Sequence, residues 1–334
     1  MVMAMGTDME KSKKNNKLFY LYIFLIIVIA VSIVIMLCFH YYGQTNVASN
    51  DTTEDYHHIT YNGEEYQYNS SIVSILLLGI DISDPTDTQG QADVLELLLL
   101  DRTNKTMQVI SIPRDTMTEI RLYDVEENSL GWQEHHINLS YAYANNARSG
   151  CMRTSQAVSR MLGGIPIVYY ASLNLNMLGD IQNIIGILDV TLPNDSLEDV
   201  NESWSQGTVL TVDSSNVETY LRYRNSDIDF SNNDRMERQK EYMLAYFEKI
   251  NEMLNTDFNQ TVESMYSIIN EMTTNISYDD LQVFANMVLE YLFDEEKKFY
   301  TLEGENVSGA FHDEYILDQD KLETKKVELF YTKE

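Results

Sequence analysis

The 334-residue sequence is short of cysteine and of positive charge, and each shortage narrows what the protein can be. Only Cys38 and Cys151 are present. Cys38 falls inside a long apolar run and Cys151 far beyond it, so no intramolecular disulfide is expected and stability must come from a large core. Lysine and arginine total 23 against 52 aspartates and glutamates. A surface so acidic repels nucleic acid and anionic lipid, which excludes general binding to either. No internal repeat or low-complexity tract is visible. A nucleophilic triad is also missing: Cys151 sits in a helical polar context, and His135-His136 reads as a loop pair rather than a metal site.

What is present begins with an uncharged apolar run of 22 residues, Leu18 to Phe39, long enough to cross the hydrocarbon core of a bilayer. Lys11, Lys13, Lys14 and Lys17 precede it; Tyr41 and Tyr42 follow, then Asp51, Glu54 and Asp55. The positive-inside rule then puts the N-terminus in the cytoplasm and nearly all of the chain outside. The expected organisation is a cytoplasmic tail (1–17), a single-pass transmembrane anchor (18–42), an extracytoplasmic stalk of low order (43–70) and one domain (71–334). A cleaved signal peptide is the competing reading, but the run is longer than a usual signal core and Val47-Ala48-Ser49 is only a weak cleavage site. Beyond the membrane the chain carries 19 basic and 50 acidic residues, a formal net charge of −31. Any phosphate site must therefore be a local basic pocket.

Ser71 to Ile80 is a continuous apolar run ending in Gly79, with Asp81 just after it. It reads as a strand buried on both faces, with the acid at its C-terminal mouth. A loop from Ile82 to Ala92 leads to Asp93. Two strands are expected at Val94–Asp101 and Thr106–Pro113, turning at Asn104-Lys105. Arg114 and Asp115 follow the second, and ligands of open α/β sheets gather at such carboxyl ends. Helices are then expected at about 140–147, 154–162 and 177–185, with strands at 167–173 and 189–192. Longer helical runs follow at about 214–220, 234–254, 258–272 and 278–293. A strand near 299–302 and a helix near 318–330 complete an α/β chain with a helix-rich second half.

Four of the ten arginines fall between Tyr220 and Gln239: Arg222, Arg224, Arg235 and Arg238. A guanidinium donates two parallel hydrogen bonds and stays charged, which suits phosphate oxygens. Alternation puts Arg222 and Arg224 on one face of an extended segment. Arg235, Arg238 and Gln239 share one side of a helix. The plainer alternative for this stretch is a solvated helix start with surface ion pairs. Arg148 and Arg153 flank a helix entry and read as solvated. The apolar positions Met161, Leu162, Met177, Leu178, Ile181, Ile184, Ile185 and Leu188 suit either a lipid tunnel or an ordinary core.

At this point the sequence resembles the LytR–CpsA–Psr family of membrane-anchored bacterial cell-wall enzymes, from about Ser71 to near the C-terminus. Five ordered pieces carry the resemblance: Leu77-Leu78-Gly79-Ile80-Asp81, Gln91-Ala92-Asp93, Ser111-Ile112-Pro113-Arg114-Asp115-Thr116, Ile137-Asn138-Leu139-Ser140-Tyr141-Ala142-Tyr143, and the stretch from Arg222 to Gln239. The resemblance implies a central mixed β-sheet flanked by helices. It also implies a phosphotransferase that moves a glycopolymer, teichoic acid or capsular polysaccharide, from a polyprenyl-pyrophosphate carrier to peptidoglycan outside a Gram-positive cell membrane. Asp81 and Asp93 would hold Mg²⁺, or Mn²⁺ in its place. Arg114, Arg222, Arg224, Arg235 and Gln239 would hold the pyrophosphate, with Arg238 as a companion or a structural group. Asp115 would orient Arg114 or act as a general base. Gln91 stands where the family usually has an arginine, and His136 where a lysine is common. Hydrolysis of the lipid pyrophosphate, and a non-catalytic lipid-binding regulator of wall assembly, remain alternative readings.

Overall fold

The computed structural model describes residues 56–82, 90–225, 227–228, 231–291, 299–309 and 312–334, which belong to one unit, Thr52–Glu334. The expected tail, the apolar run Leu18–Phe39 and the loop 83–89 lie outside the described residues. Among the described residues no helix is long and apolar enough to cross a membrane.

A six-stranded mixed sheet organises the domain. Its strands are β3 (Ile72–Ile80), β4 (Ala92–Asp101), β5 (Thr106–Ser111), β8 (Tyr169–Asn174), β11 (Thr273–Thr274) and β12 (Phe299–Thr301), in the order β11-β8-β3-β4-β5-β12. The pairs β3/β8 and β5/β12 are parallel and the others antiparallel. The apolar run of β3 alternates between two buried layers, as a doubly covered strand must. Leu76 and Leu78 join Leu95, Leu97 and Leu99 of β4 in the larger core on one face. On the other face Ile75, Leu98, Leu100 and Val109 pack together.

The first layer is closed by helices α1 (Leu139–Ala142), α2 (Ala147–Met161) and α8 (Gln319–Phe330), which contribute Tyr141, Val158 and Phe330 to it. The second is covered by α5 (Asn232–Thr256) and α7 (Tyr278–Glu290) through Phe247, Phe284 and Met287. A separate helical core joins these to α3 (Met177–Ile185), α4 (Val217–Arg222), α6 (Phe258–Ile269) and the hairpin β9 (Leu188–Thr191) and β10 (Val209–Val212). Caps fix several helix starts. The Asn146 side chain accepts from Ser149 N–H, and Ser277 and Asp280 form a reciprocal capping box.

Differences from the sequence reading have local causes. The segment expected to be a stalk contains β1 (His58–Tyr61) and β2 (Glu64–Tyr68), and β2 pairs with β15 (Tyr331–Lys333) at the other end of the chain. The helix expected at 140–147 stops at Ala142, because Asn146 is extended (φ −159°) and caps a longer α2. Residues 117–136, expected as no element, form the ribbon β6 (Met117–Tyr123) and β7 (Ser129–His136), so His135-His136 is strand rather than loop. A further hairpin, β13 (Gly304–Ser308) and β14 (Asp313–Leu317), also went unread. The apolar positions weighed for a tunnel fall in three different packing clusters. Leu162 packs in the sheet core, Met177 and Ile181 in a small cluster, and Ile185 and Leu188 in the helical core.

Candidate active site

Asp81 leaves the end of β3 and is exposed. Its N–H donates to the Gln91 carbonyl (3.1 Å), and its Oδ1 accepts from Gln91 N–H. One residue therefore ties down the far side of the intervening loop. The register of β3 against β4 then slips: Gly79 faces Val94, but Ile80 faces Ala92, so Asp93 is the extra residue of a bulge. Bulges bend a strand and re-aim a side chain, and here the re-aimed group is a carboxylate.

Two guanidiniums from distant segments converge on that carboxylate. Arg114, just beyond β5, donates through Nη1 to Asp93 Oδ1 and through Nε to Asp115 Oδ1 at 3.1 Å. Arg235, in the first turn of α5, donates through Nη1 to Asp93 Oδ2 at 3.2 Å and through Nη2 to Asn232 Oδ1 at 2.7 Å. The Arg235 Nε is buried with no hydrogen-bond partner among the described residues, although the side chain is only 6% exposed. Burial lowers the Arg235 pKa below the usual guanidinium range, Asp93 opposes that shift, and the positive charges of Arg114 and Arg224 add to it. Arg224 is exposed on the link between α4 and α5, near enough to Arg235 for the two positive charges to interact.

The remaining residues of the arginine-rich stretch take other partners. Arg222 is the last residue of α4, not part of an extended segment, and it pairs with Glu218 one turn earlier at 2.6 Å. Arg238 and Gln239 share the helix side expected of them but face inward. Arg238 is fully buried and donates to the Tyr220 carbonyl (3.0 Å), the Tyr223 carbonyl and Ser196 Oγ. Gln239 donates to the Leu221 carbonyl at 3.0 Å. Both bind the backbone of the segment that presents Arg224. Asn232-Asn233, just ahead of the helical run expected from 234, form the opening turn of α5.

Gln91 and Asn138 are the groups that sequence reasoning undervalued. Gln91 Oε1 accepts from Arg114 Nη2 (3.0 Å) and Asn138 Nδ2 (3.1 Å), so it orients the arginine as well as Asp81. Asn138 is buried, and its N–H donates to the Arg114 carbonyl at 3.3 Å. Its place inside the Ile137–Tyr143 piece was the only signal available.

Other candidates settle into structural roles. Arg153, expected to be solvated, is buried; it bonds the Tyr143 carbonyl and Glu127 and lies 3.9 Å over the Tyr123 ring. Cys151 is buried, and burial pushes its thiol up to about 11, so it is not a nucleophile at neutral pH. Among the described residues no group of three or more His, Cys, Asp or Glu side chains is arranged to hold a metal ion.

The chain is similar to known proteins over most of its length. The LytR_cpsA_psr family model matches residues 36–330. A polyisoprenyl-teichoic acid–peptidoglycan teichoic acid transferase TagU of Bacillus cereus is 32% identical over 180 residues, 54% of this chain and 53% of that protein. The transferase TagV of Bacillus subtilis is 26% identical over 265 residues, 76% of this chain and 62% of its own length. The match thus spans about half the length of the first of these relatives. In structure the chain resembles crystalline B. subtilis TagV with a TM-score of 0.60 at 23% identity, over 78% of this chain and 96% of that one.

Proposed function

Because this chain belongs to the LytR–CpsA–Psr family, we propose that it transfers a glycopolymer from a polyprenyl-pyrophosphate carrier to a hydroxyl of peptidoglycan. The observation that carries the reading is the convergence of Arg114 and Arg235 on Asp93 in an otherwise acidic protein, with the charge of Arg224 near by and the Arg235 Nε buried without a partner among the described residues. An unsatisfied buried donor beside several cationic charges suits a multiply charged anion.

Pyrophosphate transfer needs little covalent help from the protein; positioning and charge stabilisation supply most of the rate. Arg114 and Arg235 now share the Asp93 carboxylate, and a diphosphate would take over part of those hydrogen bonds. Asp115 holds Arg114 from its Nε side, and Gln91 steadies the Nη2. The family implies a divalent cation. Asp81 and Asp93 offer hard carboxylate oxygens of the kind Mg²⁺ or Mn²⁺ prefers, and the fit requires Asp93 to give up one of the two guanidiniums that its oxygens now accept from. Held by those two aspartates, the ion would supply neutralisation of phosphate-oxygen charge. The apolar run Leu18–Phe39 would anchor the enzyme at the outer face of the cell membrane, where donor and wall meet.

The test is transfer of a saccharide from a synthetic polyprenyl-pyrophosphate donor to a peptidoglycan oligosaccharide. Arg114→Ala and Arg235→Ala proteins that remain folded should lose transfer by a factor of about 10² or more, the scale for one oriented donor to a developing anion. Full activity in both variants rejects the proposal. Product released to water with acceptor present identifies a hydrolase, and donor binding with no turnover under any metal condition identifies a lipid-binding regulator.

A further inference from the structure

Beside Arg114 and Asp115 stands a second polar group that no role yet accounts for. The ribbon β6–β7 pairs Met117 with His136. The Ile137 N–H donates to the Thr116 carbonyl at 2.9 Å, and both of those residues are fully buried. Their neighbours Asp115 and His136 are each only partly exposed and near enough to interact electrostatically. From another direction the β13–β14 hairpin closes in. Tyr315 N–H donates to the Asp115 carbonyl at 2.9 Å, which brings Glu314 and His312 to the same place. The His136 and His312 rings stand 6.4 Å apart, centre to centre, at 65°.

The charges around His136 come from three segments. Asp115 and Glu314 favour its protonated form, while burial, His312 and Arg114 oppose it. Burial is the largest effect, and the pKa falls below the ordinary histidine value. Burial thus favours the neutral imidazole, whose unprotonated nitrogen carries a lone pair. The alternative base, Asp115, is already engaged, accepting the Arg114 Nε at 3.1 Å. Geometry and charge therefore separate two neighbours: Asp115 orients Arg114, and His136 is the free base.

We infer that His136 takes the proton from the attacking hydroxyl of the acceptor, and that Asp115 and Glu314 stabilise the imidazolium that results. This rests on the transferase reading above. In the step the acceptor oxygen bonds to the phosphorus that carries the polymer, while its proton passes to a ring nitrogen of His136. The bond from that phosphorus to the bridging oxygen breaks, and its electron pair leaves with the polyprenyl monophosphate. Atoms and charge balance without any further reactant.

The experiment uses the full chain in detergent micelles, with the donor and acceptor named above. Transfer is followed from pH 5 to pH 9 for the wild type, His136→Gln and His136→Asn. The His136 ring is titrated by NMR in the wild type, and donor binding is measured for all three. In the wild type, kcat/KM should rise with pH along a limb whose midpoint matches the His136 titration. Both variants should lose that limb and transfer about 10²-fold more slowly or worse, with donor affinity unchanged. A wild-type limb that misses the ring titration overturns the inference even if both variants misfold. So does a folded variant that keeps the limb, or one whose loss lies wholly in donor binding. A wild type that turns over no donor at all overturns the transferase reading and this inference with it; normal transfer by His136→Gln overturns the inference alone.

Discussion

Gly79 and Val94 face each other across β3 and β4 with no room for a side chain at position 79: a Cβ there would stand 2.9 Å from the Val94 Cβ. The contact lies at the bulge that redirects Asp93, so the glycine serves the site as well as the sheet. Gly79→Ala is expected to cost about 1–3 kcal/mol, the usual cost of overpacking. Donor-lipid affinity should fall with it, because Asp93 must shift. Urea unfolding and lipid binding of the same protein check both, and an unchanged unfolding midpoint would show that the sheet absorbs the methyl freely.

Arg238 and Arg224 should respond in opposite ways to alanine. Removing Arg238 leaves the Tyr220 and Tyr223 carbonyls without their partner in a buried place and should destabilise by about 3 kcal/mol or more. Arg224→Ala, at an exposed position, should move stability by less than about 0.5 kcal/mol. Its donor affinity should nonetheless drop about tenfold, on the scale of one lost charged hydrogen bond. Equal unfolding midpoints for the two variants would contradict this division.

Glu96 gives the fold a dependence on pH. It lies buried in β4 opposite Ser111, whose Oγ donates to it at 2.6 Å. Burial raises its pKa to about 7, and the Ser111 hydrogen bond only partly offsets that. The folded protein therefore keeps a proton that the unfolded chain releases above about 4.5. Stability should fall as pH rises from about 4.5 to about 7 and then level off, a contribution of about 3 kcal/mol. Glu96→Gln should remove that slope and be the more stable protein at pH 8. Guanidinium unfolding at pH 5 and pH 8 measures it, and parallel slopes for both proteins would disprove it.

Asp81 lets the proposed metal be tested apart from the arginines, since it is exposed and its carboxylate accepts from the Gln91 backbone rather than from a guanidinium. Asp81→Asn should fold normally and need about tenfold more Mg²⁺ for half-maximal transfer, in line with loss of one carboxylate ligand. Treatment with EDTA should abolish transfer and added Mg²⁺ restore it. Transfer that survives EDTA would remove the cation from the proposal.

How much of this was legible depends on where each residue's partners lie. The helix Met177–Ile185 and the strands around Leu95–Leu100 were readable because periodicity and apolar runs record burial locally. The β6–β7 ribbon was not, since its strands are half exposed and carry no apolar run. The pairing of β2 with β15 comes from more than 260 residues away, but the β1–β2 hairpin was legible and went unread: its turn is Asn62-Gly63, both at positive φ.

The amino-acid sequence by itself determined the α/β class, the acidic surface, the aspartates at the ends of β3 and β4, and the segments from which a basic pocket could be assembled. Only the tertiary structure decided which arginines occupy it. Arg235 and Arg238 lie three residues apart on one side of α5, and nothing local distinguishes a guanidinium that meets Asp93 from one sealed under Tyr220. Periodicity states which side of a helix a residue occupies. What waits on that side is set by the packing of segments far away in the chain.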